Sequence, residues 1–178
     1  MKKIALTLFL VVCLSSVSSA AGKFFGVEAS NLIADDPLGY MTLGKGMFFL
    51  QFNDALSAGI GIIDVSNPIP SLGETQNWLG VQLKGQWNLG KGLMIPHLAA
   101  EIDSVSGNIA APGDDVIFNT LTLAIMYGVE VSLLPDLSVI LDARLIEVGN
   151  LHTNYSIYND SYTAILSGGT FGIRWYIL

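Results

Sequence analysis

Beyond its first twenty residues the chain has no cysteine, since the single one, Cys13, lies in the amino-terminal apolar stretch. Disulfides, thiol chemistry and thiolate metal sites are therefore excluded from the rest. Charge is scarce as well. Asp, Glu, Lys and Arg together make up 13% of the sequence against 51% hydrophobic residues, and the mean hydropathy is +0.54. Basic residues are the scarcest: without Lys2 and Lys3, the eight Lys and Arg fall to six against fifteen Asp and Glu, a net charge near −9. That balance argues against nucleic acid as a partner. The chain also lacks, after residue 20, any run of about 18 uncharged apolar residues that could cross a bilayer as a helix. The nearest stretch, Leu121 to Leu134, is short and contains Glu130. An apolar composition without helical spans leaves the closed β-barrel as the other structure that satisfies its backbone inside lipid.

The amino terminus has the layout of a secretory signal. Lys2 and Lys3 precede the apolar stretch Ile4 to Leu14, and Ser18-Ser19-Ala20 offers small residues for cleavage. Residues 1–20 are expected to be a signal peptide and 21–178 a single β-barrel domain. Leu10-Val11-Val12 lacks the small residue expected before a lipidated cysteine, which argues against a lipoprotein.

What the remainder does contain is alternation with period two, the sign of strands with one apolar face. The clearest case closes the chain: Phe171, Ile173, Trp175 and Ile177 alternate with Thr170, Gly172, Arg174 and Tyr176. A row of large apolar side chains at a chain end, with nothing after it to cover them, suits a strand facing lipid tails. The same pattern predicts strands over Lys23–Ser30, Gly46–Asn53, Ser57–Val65, Trp78–Leu89, Met94–Asp103, Asn119–Val131 and Ser138–Val148. Phe48, Leu50 and Phe52 share one face of the second, and Gly59 and Gly61 share a face of the third, which suggests a crowded interior. In the fourth, Leu79, Val81, Leu83, Trp87 and Leu89 oppose Gln82, Lys84, Gln86 and Asn88. Pro96 cannot donate to a ladder and should lie near its strand's start or at a bulge. The phase of the seventh strand slips near Ile146, as a bulge would make it do.

The connections between these strands alternate long and short, at about fifteen, three, twelve, a few, fifteen, six and fifteen residues, the pattern of external loops and periplasmic turns. A soluble lipocalin-like barrel shares that topology but puts its apolar rows inside. Here the apolar rows carry no charge and the polar rows hold nearly all strand charges, which places lipid outside. The expected fold is all-β: an eight-stranded antiparallel up-and-down transmembrane β-barrel, with an interior just wide enough for side chains to fill.

Leu137-Ser138-Val139, the run Asp142 to Asn150, and the closing Gly172-Ile173-Arg174-Trp175-Tyr176 resemble the end of the opacity-type, OmpA-like small outer-membrane barrels. Ile95-Pro96-His97 followed by Ala99-Ala100 is similar to the opening of their fifth strand. The motif covers about forty residues, the architecture most of the chain. Ala143 and Leu145 stand where aromatics usually flank the arginine, and the chain ends on Leu178 instead of phenylalanine, which weakens the terminal sorting signal. The resemblance implies the outer membrane of a Gram-negative bacterium, a lipid and lipopolysaccharide surrounding, and the barrel assembly machinery as a partner during insertion. The terminal assembly strand is Phe171, Ile173, Trp175 and Ile177.

The inward row gathers Glu28, Lys84, His97, Glu101, Asp103, Glu130, Asp142, Arg144 and Arg174. Charges in a narrow lumen must pair or be hydrated, so the expectation is a structural salt-bridge network, with Arg144 and Arg174 binding Glu130 and Asp142. A gated ion path is the sharper alternative. His97 and Glu101 lie about 13 Å apart along a strand and cannot share an ion directly. No cofactor, metal or catalytic set is expected. His152-Thr153-Asn154-Tyr155-Ser156 does not match the His-x-Ser-Asn arrangement of outer-membrane lipid A deacylases, and Asp35-Asp36 and Asp114-Asp115 read as solvated loop residues. The expected function is that of a monomeric, non-enzymatic surface protein, an anchor, adhesin or antigen whose four long loops meet an external host or matrix ligand. A lipid A-modifying hydrolase and a narrow channel are the alternatives.

Overall fold

A computed structural model of the chain describes residues 25–34, 42–69, 74–109, 116–154 and 160–177. Eight strands follow in order: β1 (Phe25–Ala34), β2 (Thr42–Gln51), β3 (Leu56–Ile69), β4 (Glu74–Asn88), β5 (Met94–Ile109), β6 (Val116–Leu134), β7 (Leu137–Thr153) and β8 (Asp160–Ile177). Each pairs antiparallel with the next, and β8 closes on β1, giving a barrel in sequence order. The expected signal peptide and Leu178 lie outside the described residues.

The strands form where the alternation predicts them, and their faces divide inside from outside. On β4, Leu79, Val81, Leu83 and Trp87 are exposed while Trp78, Gln82, Lys84 and Gln86 are buried. On β8, Phe171, Ile173, Trp175 and Ile177 point outward, between buried Thr170, Arg174 and Tyr176. The closing ladder runs from Phe25 opposite Ile177 to Ala34 opposite Gly168, so the terminal strand seals the barrel against β1. Two bonds fix its end to the β6–β7 turn: Tyr176 N–H donates to Asp136 O at 2.7 Å, and Trp175 Nε1 donates to the Asp136 carboxylate at 3.1 Å. The β2–β3 turn is held by Asn53, whose side-chain oxygen accepts from the backbone of Ala55 and Leu56 at 2.8 and 2.9 Å, an Asx turn. Pro96 is the third residue of β5, near its start.

Three expectations need correction. The strands run further than the alternation does, so residues 35–41, 70–73, 110–115 and 154–159 replace the four long loops, and strict alternation of connection length is lost. Polar pairs such as Ser66 with Asn77 and Asn67 with Gln76 extend the ladders. Above the membrane the outer face of a hairpin meets water, so backbone pairing continues without an outward apolar row to mark it. At about 3.3 Å per residue the 19 residues of β6 reach about 60 Å, well past an apolar band of about 25 Å even when tilted. Second, β2 begins at Thr42, which brings Lys45 into the barrel. Third, Phe52 lies past the end of β2 and is buried, not lipid-facing: its N–H turns to Leu56 O at 2.9 Å. The bulge expected near Ile146 is present in β7, at Leu145. Met126 pairs with Arg144 but Ile125 with Ile146, so Leu145 is the additional residue, Ile146 faces out and Glu147 turns in. β8 answers with its own irregularity, where Leu166 has φ 55° and Gly168 φ 146°.

Candidate functional site: the barrel lumen

The interior is filled at three levels, whose order follows β5 and β7 from the turn end upward: His97 and Asp142 first, then Glu101, Asp103, Arg144 and Glu147, then Val105 and Leu151. All nine charged residues expected in the lumen are buried there.

The lower level is built around Arg174. It donates to Glu28 from Nε at 3.1 Å and Nη2 at 2.7 Å, to Glu130 from Nη1 at 2.9 Å, and to Gln86 from Nη2 at 2.8 Å. Glu28 is also its ladder partner across the closing seam. The guanidinium lies 4.3 Å from the centre of the Phe49 ring, and Phe49 meets Tyr176 edge to face at 5.3 Å. Tyr176 in turn donates to Glu130 at 2.5 Å. Lys84 bridges Asp142 at 2.8 Å and Glu28 at 3.4 Å. His97 Nε2 meets Asp142 Oδ1 at 2.6 Å. Gly128 makes room for this contact, because a Cβ there would collide with Asp142 Oδ1, His97 Nε2 and Leu141 O.

The upper level clamps two carboxylates between the same two cations. Lys45 Nζ and Arg144 Nη2 each reach Glu101 Oε1, at 2.5 Å in both cases, and Asp103 Oδ2, at 2.9 and 3.0 Å. Gln82 donates to the other oxygen of Glu101. Glu147 accepts from Arg144 Nη1 at 2.7 Å, Tyr162 Oη at 2.6 Å and Ser167 Oγ at 2.9 Å. Arg144 thus binds Glu101, Asp103 and Glu147, while Asp142 takes Lys84 and His97; of the expected arginine pairs, Arg174 with Glu130 is the one present.

Above these levels Ile63, Val65, Trp78, Val105 and Phe118 form a buried apolar cluster against half-buried Leu151. Trp78 and Phe118 meet edge to face at 4.6 Å. Trp78 spends its indole N–H on Asn108 O at 3.3 Å.

Three charged or polar members escaped the sequence reading. Lys45 lies one residue before the expected start of the second strand at Gly46, at the end of what reads as a loop, yet its parity matches Met47 and Phe49. Glu147 is hidden by the bulge. Tyr176 was placed on the inner face without a role. Among the described residues no group of three His, Cys, Asp or Glu side chains could hold a metal ion. His152 is exposed on the outer side of β7 opposite Asn119, and Ser156, Asp35, Asp36, Asp114 and Asp115 lie outside the described residues.

A closed antiparallel ring with an exposed apolar belt and a buried, paired, polar interior is a small transmembrane β-barrel. Solved structures of the same architecture include the N-terminal β-barrel domain of Pseudomonas aeruginosa OprF, with TM-score 0.61 and 8% identity over 88% of this chain and 98% of that one. Neisserial surface protein A is similar at TM-score 0.58 and 13% identity, over 89% of this chain and all of that one. No protein-family model matches the chain, and no curated protein matches it in sequence.

Proposed function

We propose that the protein is a closed, monomeric, non-enzymatic barrel of the Gram-negative outer membrane, an anchor that presents its loop end to the outside. The observation that carries this reading is the filled lumen. Two charged levels whose side chains are spent on each other lie beneath an apolar level of Ile63, Val65, Trp78, Val105 and Phe118. A hydrated ion crossing it would have to break the pairs and then shed water against an apolar surface, which opposes conduction. The two structures named above are both small barrels, one of them named a surface protein, in keeping with the anchor reading.

In this reading the outer belt meets lipid and lipopolysaccharide, the terminal strand is handled by the barrel assembly machinery, and an external host or matrix ligand meets residues 35–41, 70–73, 110–115 and 154–159. Reconstitution into planar bilayers is expected to give no discrete conductance; regular unitary steps would establish a channel instead. Exchanging the four segments one at a time and scoring binding to cells or matrix is expected to abolish binding for at least one exchange. Binding that survives all four exchanges would contradict the loop-end role. Lipid A recovered from cells carrying His152→Ala is expected to be unchanged.

A further inference from the structure

Glycines such as Gly61, Gly107 and Gly128 stand where an added Cβ would strike a neighbour, so packing requires them. Gly44 and Gly46 are different. They share the lipid-facing side of β2 with exposed Phe48 and Leu50, a Cβ on either would meet nothing nearer than 3.9 Å, and neither has a positive φ. Neither packing nor backbone conformation calls for glycine at these two places, and their effect is to leave space on the outer wall. With Ala29 they floor a depression of about 400 Å³, walled by Phe171 and Ile173 from β8 and Ile62 from β3. Two polar side chains stand at its external end. Asn31 and Asp64 are both exposed and are the ladder partners of Gly44 on its two sides, about 10 Å apart across it. Asn31 Oδ1 lies 4.0 Å from the place that a Gly44 Cβ would take.

These two groups lie within the apolar belt. Asn31 pairs with outward Phe171, and β8 carries the belt past that point to exposed Ile165, nearer the external end; Asp64 pairs on its other side with outward Leu79. Polar side chains at lipid depth are costly and mark function. A second depression supplies the contrast. Gly85 also faces lipid with nothing within 4 Å of an added Cβ, but its outward rim is apolar, with Phe48, Leu83 and Ile102. That place suits any acyl chain, whereas the one over Gly44 asks for hydrogen bonds as well. Charge narrows the choice further. Among the described residues Lys45, Lys84, Arg144 and Arg174 are buried in the lumen and Lys91 pairs with Asp54 at the turn end, so no Lys or Arg faces lipid at the external end. A phosphate would meet acidic Asp64 and no cation. Uncharged donors, hydroxyl and amide N–H, fit Asn31 and Asp64 instead.

We propose that the depression seats one acyl chain of an outer-leaflet saccharolipid, the amide-linked, β-hydroxylated kind that lipopolysaccharide carries. The chain lies over Gly44 and Gly46 against Ile62 and Ile173, and the N–H and hydroxyl at its head donate to Asn31 Oδ1 and the Asp64 carboxyl. A glycerophospholipid brings ester oxygens to that level, which only accept, so Asp64 would go without a donor. The inference rests on the outer-membrane reading above and assigns one lipid chemistry to one face of the barrel.

The test is intact-complex mass spectrometry of the detergent-folded protein, titrated with diphosphoryl lipid A or with phosphatidylethanolamine of matched chain length. One lipid A per barrel is expected, held about tenfold or more tightly than the phospholipid. Gly46→Leu fills the depression and is expected to weaken lipid A by about tenfold, while Gly85→Leu, which fills the apolar depression, leaves it unchanged. Asn31→Leu removes the amide but suits lipid. Its lipid A affinity is expected to fall about fivefold, with no drop in the denaturant midpoint in phosphatidylcholine vesicles. Equal affinity of the natural protein for the two lipids, unchanged lipid A binding in G46L, or an equal loss in G85L would overturn the proposal. A lowered midpoint for N31L would make Asn31 structural and overturn it too. The outer-membrane reading is scored separately, by quenching of Trp87 and Trp175 with brominated acyl chains in the same vesicles. A barrel that escapes this quenching overturns both readings, whereas one that inserts without preferring lipid A overturns only the lipid seat.

Discussion

The lower and upper charged levels of the lumen use the same chemistry, two strong cations for three carboxylates, and differ in how completely they are spent. Arg174 uses all three of its nitrogens, stacks on Phe49 and sits across the seam where the chain closes on itself. Arg144 leaves Nε without a partner, and two of its three carboxylates, Glu101 and Asp103, share a second cation, Lys45. Loss of Arg174 leaves Glu130 without a cation and Glu28 with the longer 3.4 Å contact to Lys84; loss of Arg144 leaves Glu101 and Asp103 on Lys45 and Glu147 on the hydroxyls of Tyr162 and Ser167. Buried ion pairs gain little over apolar packing as a whole, yet removal of one partner strands the rest. The lower level is thus the rivet of the barrel, and the upper level the adjustable part.

The comparison can be broken most directly at Arg174. Arg174→Leu leaves Glu28 and Glu130 without their main partner and is expected to lose about 3–5 kcal/mol in denaturant unfolding, whereas Arg144→Leu should lose distinctly less because Lys45 remains. Equal losses would erase the distinction. Next comes the outer wall: Leu83→Arg places a charge in the lipid belt and should cost about 2–4 kcal/mol in vesicles. If Leu83→Arg were neutral, the face would be wet. Gly128→Ala drives a methyl against Asp142 and His97 and is expected to cost about 1–3 kcal/mol by overpacking, measured in the same way. The smallest effect is predicted for Lys91→Ala at the turn end, where the 2.6 Å pair with Asp54 is largely exposed. There the midpoint should shift by no more than about 0.5 kcal/mol.

Much of this was legible from the residues, and the failures share physical causes. Between two media of different polarity, strand parity alone sorts Leu79, Val81 and Leu83 from Gln82 and Lys84, and Trp175 from Arg174. Where the outer face meets water, the outward apolar row ends and the parity contrast with it, so the extensions of β5 to β8 read as loops. Where a bulge adds Leu145, parity inverts, and Glu147 is lost from the inner row. Lys45 was missed for a third reason: the strand was expected to start one residue later, at Gly46, after a glycine-containing loop, while in the barrel Gly44 to Gly46 continue β2 opposite Asp64 to Ile62. The membership of the network follows from parity, but its wiring does not. Which carboxylate Arg144 takes depends on stagger between strands and on the bulge, and neither is written in any one segment.

The central claim is that the apolar rows face lipid and the charged rows face a closed interior. Quenching of single-tryptophan variants by lipids brominated along their acyl chains tests it most directly. Trp87 and Trp175, both outward and more than half exposed, are expected to be strongly quenched, and Trp78, 7% exposed within the lumen, to be spared. Strong quenching of Trp78, with Trp87 and Trp175 spared, would turn the barrel inside out and contradict the account.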